Sequence, residues 1–235
     1  MATYVLLHGA GSDSWFWHRV IPLLRARGHD VVAPDLPCDD DSAGLDRYVD
    51  VVVEAIGERR DLVVVAQSLA GFVGPLVCAR LPVDLLVLLN AMVPRPGESA
   101  GQWWAATGAD AARRAQDVHD GRDPDAPFDP ITTFLHDLPP DVLEEALRHP
   151  PREQSDRLFA DPWPLSAWPD VPTRYLLCRE DRFFPAEFQR RLVRDRLGIV
   201  PDEMDGGHLA ALSRPDEVVE RLEAARAPRP TVSHP

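Results

Sequence analysis

Five short apolar runs constrain this chain more than any other feature. They are Tyr4–Leu7, Asp30–Ala33, Leu62–Ala66, Leu85–Leu89 and Arg174–Cys178. Each is four to five residues long, nearly continuous in apolar side chains, and without the polar alternation of a half-exposed strand. Such runs suit strands buried on both faces of a parallel sheet. Helical patterns lie between them. Trp17–Arg27 carries Val20, Leu23 and Leu24 at helical spacing, and Gly28 supplies a stop. Leu45–Gly57 presents Leu45, Val49, Val52, Val53 and Ile56 on one face. Leu69–Leu81, Glu187–Leu197 and Pro215–Ala225 continue the series. This alternation predicts an α/β fold with a mostly parallel sheet, flanking helices and right-handed crossovers. Pro75 is expected to kink the third of these helices, because it lacks an N–H.

The alternation stops between Arg95 and Asp170. Those 76 residues hold 11 of the 24 prolines, together with Trp103, Trp104, Trp163 and Trp168. A structureless loop of that length is rare inside a domain, and Pro140–Arg148 reads as helical through Val142, Leu143, Ala146 and Leu147. The expected organisation is a core formed by residues 1–94 and 171–225, with a helical cap insertion at 95–170 over one edge of the sheet. A frayed tail at 226–235 completes it.

Composition removes several chemistries. All 25 basic residues are arginine and the formal net charge is −13. Without lysine there is no Schiff base, no pyridoxal-phosphate anchor and no phosphate-loop cation. The acidic balance argues against nucleic acid or an anionic membrane as partner. Cys38, Cys78 and Cys178 form no disulfide framework and have no metal-site spacing. They read as small buried hydrophobes in a reducing compartment. Asp39–Asp41 reads as a solvated loop, since the glycine and glutamate of a calcium loop are missing. No metal and no cofactor are therefore expected. No basic leader is visible, and no run approaches the roughly 20 apolar residues of a membrane span. The expectation is a soluble cytoplasmic protein acting on a small-molecule substrate, with the oligomeric state open, a homodimer included.

One segment carries chemistry. In Val63–Gly71 a buried strand runs into Ala66-Gln67-Ser68-Leu69-Ala70 and then a helix. This is the pattern of a nucleophile elbow, normally G-x-S-x-G. Small residues are needed two before and two after the serine, where strand and helix backbones meet. Here both are alanine. An ordinary serine N-cap gives the same local pattern. After the first run, His8-Gly9-Ala10-Gly11 could turn backbone amides toward an acyl oxygen. The donors of this oxyanion hole would be the N–H groups of Ala10 and Leu69. A dinucleotide reading of these glycines fails, because position 14 is Ser14. A base is expected late in the chain. His208 follows Gly206-Gly207, and glycines let a loop histidine reach inward. An acid is expected after the Arg174–Cys178 run, at Asp181 or at Glu180, with Asp181 preferred. The order Ser68, Asp181, His208 is the order used by α/β-hydrolases. The expected substrate pocket includes His8, Gly9, Trp17, Trp103, Trp104 and Leu209.

These residues carry a resemblance. The chain is similar to the α/β-hydrolase superfamily, and within it to small serine esterases related to plant methyl-ester esterases and hydroxynitrile lyases. The matching segments are His8-Gly9-Ala10 with Trp15 and Trp17, Gln67–Gly71, Val171–Tyr175, Cys178–Asp181, Glu187-Phe188-Gln189 and Gly207-His208. The resemblance implies a Ser68–His208–Asp181 triad, with the acid just ahead of the Glu-Phe-Gln segment. It also separates two chemistries. The plant-like lyases place a lysine after the catalytic histidine and a threonine after the first-strand histidine. Here those positions are Leu209 and Gly9, which favours hydrolysis of a small or medium hydrophobic carboxylic ester. Departures are Gln67 in place of the usual histidine, the two elbow alanines, and Pro75. The competing readings are an acyl transferase, cyclase, lyase or cofactor-free oxygenase using the same triad, and a non-catalytic small-molecule receptor.

Overall fold

Six parallel strands carry the architecture. A computed structural model describes residues 1–227, so the expected tail lies outside the described residues from position 228 onward. The strands are β1 (Thr3–Leu7), β2 (Asp30–Val32), β3 (Leu62–Gln67), β4 (Leu85–Leu89), β5 (Thr173–Cys178) and β6 (Asp202–Met204). Their spatial order is β2-β1-β3-β4-β5-β6. Leu7 pairs with Ala66, and Gln67 with Leu89. The C-terminal ends of the central strands are therefore level, and the loops leaving them share one edge. Five strands lie on the expected runs. β6 was not expected: it is a three-residue edge strand in which Met204 alone is buried, so it has no apolar run to reveal it.

The even and odd residues of each strand feed two core layers. Val5, Leu7, Val64, Ala66, Leu86 and Leu88 pack against α2 (Leu45–Ile56), α3 (Gly74–Arg80) and α9 (Ala186–Leu197). Tyr4, Leu6, Val63, Val65 and Val87 pack against α1 (Val20–Ala26) and α11 (Pro215–Arg226). Pro75 does not kink a helix. The chain after Ser68 first makes a 3-10 turn, Ser68–Phe72, and α3 begins afresh at Gly74. Pro75 thus occupies the first turn of a helix, where its missing N–H would have had no partner.

Five short helices fill the interval between β4 and β5. They are α4 (Ala100–Thr107), α5 (Ala109–His119), α6 (Pro130–Phe134), α7 (Pro140–Arg148) and α8 (Arg157–Ala160). Trp103, Ala109, Leu158 and Trp163 join the α2/α3/α9 layer. Leu138 and Val142 join the other. The interval therefore lies across the C-terminal edge of the sheet and seals both layers. Its two ends are paired with each other at a neck: Ser99 bridges Pro162, Gly97 N–H donates to Trp163 O at 3.0 Å, and Trp163 N–H donates to Glu98 O at 3.0 Å. Glu98 there meets Arg196 of α9 in a two-pronged ion pair, one prong at 2.9 Å, with side chains only 9% and 3% exposed. A short helix, α10 (Ala210–Ser213), precedes α11. Among the described residues no helix is long and apolar enough to cross a membrane.

Candidate active site

Ser68 sits in a tight turn between β3 and the 3-10 segment. Its φ is +53°, a left-handed value that costs a non-glycine residue about 1–2 kcal/mol. Neighbouring packing holds it there. Met92 N–H donates to Ser68 O at 3.0 Å. A Cβ on Gly71 would overlap the Met92 carbonyl, and one on Gly74 would come within 2.9 Å of Ala66 Cβ. The close approach of strand and turned chain thus falls on Gly71 and Gly74, which is why alanine is accommodated at 66 and 70. The Leu69 amide lies in the first turn, where no carbonyl of the turn itself can reach it.

Three expected residues come together in one hydrogen-bonded row. Ser68 Oγ lies 3.0 Å from His208 Nε2, and His208 Nδ1 lies 2.8 Å from Asp181 Oδ2. A carboxylate only accepts, so Nδ1 carries the proton and Nε2 is free to accept from the serine hydroxyl. All three side chains are buried. Glu180, the alternative acid, is exposed and does not enter the row. Asp181 is saturated with donors: the amides of Phe183 and Phe184 at 2.8 and 2.9 Å, and Gln189 Nε2 at 3.3 Å. These fix its rotamer and compensate its burial.

Side chains from the strand ends brace the histidine loop. Asn90, just past β4 and left-handed at φ +45°, donates through Nδ2 to the carbonyls of Gly207 and His208 at 3.3 and 3.4 Å. Its Oδ1 accepts from Cys178 N–H at 2.8 Å. Gln67 Nε2 donates to His208 O at 3.3 Å. On the other side of Ser68, a Cβ on Gly9 would overlap Gln67 Oε1 and approach Ser68 Cβ to 2.9 Å, so the loop carrying Ala10 crosses directly beside Ser68.

The expected pocket divides. Gly9 is at the site by contact with Ser68; Leu209 follows His208 in the chain and packs against the α1/α11 layer. His8 lines a small cavity with Gly9, Leu69 and Gln154, and it is also a brace: Nδ1–H donates to Gly9 O at 2.8 Å, and Nε2 accepts Leu36 N–H at 3.0 Å. Burial pushes its pKa below the usual histidine range, which keeps it neutral, as both bonds require. Trp17 is fully buried in the α1/α11 layer, and Trp103 is fully buried in the other with its indole N–H on Val93 O at 3.1 Å. Neither presents surface to a ligand. Trp104 is half-buried and meets Phe183 edge-on at 5.3 Å. The aromatic wall around the imidazole comes from residues not singled out in the sequence: Phe134 at 5.3 Å, Phe183 at 5.1 Å and Phe184 at 5.2 Å between ring centres.

The interval between β4 and β5 also touches both loops. Asp137 Oδ2 accepts Gly207 N–H at 2.7 Å. Gln154 Oε1 accepts Gly11 N–H at 3.1 Å, and Gly11 O accepts Arg152 N–H at 2.8 Å. Asn90, Asp137 and Gln154 carry no periodic or motif signal. The cue available for Asn90 was its place as the first polar residue after a run of leucines; the other two had none.

Comparison with known proteins agrees with this fold. The model of the alpha/beta hydrolase family matches residues 4–221. The probable esterase PIR7A of Oryza sativa subsp. japonica is 28% identical over 93% of this chain and 94% of its own length. Norfluorocurarine synthase 1 of Strychnos sp is 23% identical over 94% and 93%. Methylesterase 9 of Arabidopsis thaliana is 23% identical over 94% and 97%. The crystal structure of polyneuridine aldehyde esterase superposes with a TM-score of 0.78 at 22% identity, covering 97% of this chain and all of that one. The chain belongs to the alpha/beta hydrolase family.

Proposed function

We propose that the protein is a serine hydrolase that cleaves a small or medium apolar carboxylic ester through an acyl-enzyme. The observation that carries this is the Asp181–His208–Ser68 row at 2.8 and 3.0 Å, ending on a serine in a left-handed turn. The esterase names among its relatives support the same reaction class.

In this reading His208 Nε2 takes the Ser68 proton as Oγ attacks the ester carbonyl carbon. The oxyanion that forms accepts hydrogen bonds from the Ala10 and Leu69 amides, each worth about 3–4 kcal/mol in the transition state. His208 then gives its proton to the departing alkoxide as the C–O bond breaks. Water, deprotonated in turn by His208, attacks the acyl group and restores Ser68. Asp181 stays ionised throughout and stabilises the imidazolium. The aromatic wall of Phe134, Phe183 and Phe184 beside the imidazole favours an apolar alcohol moiety. Leu209 follows His208, and the chain contains no lysine to stabilise a departing cyanide, which disfavours the lyase branch.

The test is hydrolysis of p-nitrophenyl esters by the wild type and by Ser68→Ala, with a fluorophosphonate probe on both. The wild type is expected to turn over the ester and take up one label at Ser68, and the variant to do neither while keeping its circular dichroism. Undiminished turnover by Ser68→Ala would remove the proposal.

A further inference from the structure

The row of three has a fourth contributor outside the core. Asp137 lies in the link between α6 and α7, far from the strand ends in sequence. Its Oδ2 accepts the Gly207 amide at 2.7 Å. The Gly207 and His208 carbonyls are held from the opposite side by Asn90, and the latter also by Gln67. The peptide that carries the imidazole is therefore gripped on its carbonyl side by the sheet and on its amide side by the interval between β4 and β5.

Position 207 bears the imprint of this contact. A Cβ there would come within 2.8 Å of Asp137 Oδ1 and 3.0 Å of His136 Nε2. Glycine is required for close approach of the two segments. The grip continues on either side of Asp137. Phe134 lies 5.3 Å from the imidazole, and Leu138 is buried in the α1/α11 layer. Arg182, next to Asp181, donates to Thr132 O at 2.9 Å and so ties α6 to the acid's own loop. The charged groups that act on His136, the ring beside Asp137, are Arg182, Asp137, Asp181 and Glu180. Burial and Arg182 hold His136 below the usual histidine range, so it faces Asp137 as a neutral ring.

We propose that Asp137 is a positioning residue for His208: by holding the Gly207 amide it sets where Nε2 stands relative to Ser68 Oγ, so the site is complete only with residues 134–138 docked. It touches no reacting atom and acts through the backbone of its neighbour. This rests on the hydrolase reading above, but its test does not depend on it alone.

The experiment compares wild type, Asp137→Ala and Asp137→Asn. Asparagine keeps an acceptor oxygen for Gly207 N–H, and its NH₂ can face the neutral His136; alanine keeps neither. With a p-nitrophenyl ester, Asp137→Ala is expected to lower kcat roughly 10- to 100-fold with little change in KM, the scale of a sub-ångström misplacement. Asp137→Asn is expected within about three-fold of wild type, because the bond that matters survives. In parallel, the proton shared by His208 Nδ1 and Asp181 is followed by NMR as a far-downfield resonance. It should broaden or vanish in Asp137→Ala and persist in Asp137→Asn. An alanine variant with unaltered kcat and an unaltered resonance would overturn the assignment. So would a variant that loses melting temperature alone, with kcat intact. If the wild type hydrolyses no ester yet the resonance still depends on Asp137, the positioning role stands and the hydrolase reading falls.

Discussion

Ser68 and its two partners are held by different parts of the molecule. The Ser68 turn is closed entirely by the sheet and its immediate connections: Met92 on its carbonyl, Gly71 against Met92, and Gly74 against Ala66. The histidine loop and the loop bearing Ala10 are closed from outside as well, by Asp137 on Gly207 and by Gln154 and Arg152 on Gly11. Ser68 is thus held at its left-handed φ by close contacts from its own neighbourhood, which is how such strain is sustained. The groups that must meet it are completed by a segment inserted far away in the chain. One half of the site is held by the sheet alone; the other is held by the sheet and by the insertion together.

That contrast can be broken at several points. The largest effect is expected from Asp181→Asn, which attacks the histidine half without touching the insertion. It should reduce kcat about 10³- to 10⁴-fold in ester hydrolysis, by favouring the wrong imidazole tautomer. Glu180→Gln, on an exposed side chain, should stay within two-fold of wild type by about the same assay error. Next comes Glu98→Ala at the neck. It leaves Arg196 buried without its carboxylate and should cost about 3–5 kcal/mol in urea denaturation. Since the neck carries the insertion, limited proteolysis should then cut between α4 and α8 before it cuts the sheet. Gly71→Ala strikes the Ser68 half alone. Overlap with the Met92 carbonyl forces a backbone shift and should cost about 1–3 kcal/mol, read as a lower denaturation midpoint.

The smallest effect concerns acid. Burial holds His8 neutral and below its ordinary pKa of about 6.5. The unfolded chain therefore takes up a proton that the folded one resists. His8's contribution is full above that ordinary value and is lost as pH falls through the depressed folded one. A charged ring would also set a donor against the Leu36 amide. Denaturation midpoints measured from pH 7 downward should fall, and His8→Gln should flatten part of that slope. An unchanged slope would detach His8 from the acid sensitivity of this half.

Much of the Ser68 half could be read from the chain, because local patterns dictate it. Val63–Gly71 holds strand, turn and close-packing residues in one stretch, so its local geometry follows from sequence neighbours. Ser68, Asp181 and His208 follow β3, β5 and β6 in the order expected. The supporting residues are non-local. Asp137 is one aspartate among many in a proline-rich interval, and nothing near it announces that it will meet Gly207. Trp17 and Trp103 were expected at the pocket because they follow loops at the right edge of the sheet. They are core because an aromatic residue's layer depends on which way the chain crosses, and the sequence near it does not encode that. Pro75 was misjudged for a related reason: the helix boundary moved by five residues when the 3-10 turn intervened.

The paired neck has a consequence for how such a protein can change. Glu98–Ser99 and Pro162–Trp163 lie side by side, so everything between them leaves and returns through one doorway. The strand register on either side needs nothing from the sixty or so residues that pass through it. A different set of helices, longer or shorter, can be spliced in at that doorway without renegotiating the sheet, since added loop length costs only about 0.6 kcal/mol per doubling. Any replacement must still bring its own oxygen to the amide of Gly207. The length and helices of the insertion are thereby left free to vary, while its one contact at Gly207 is not.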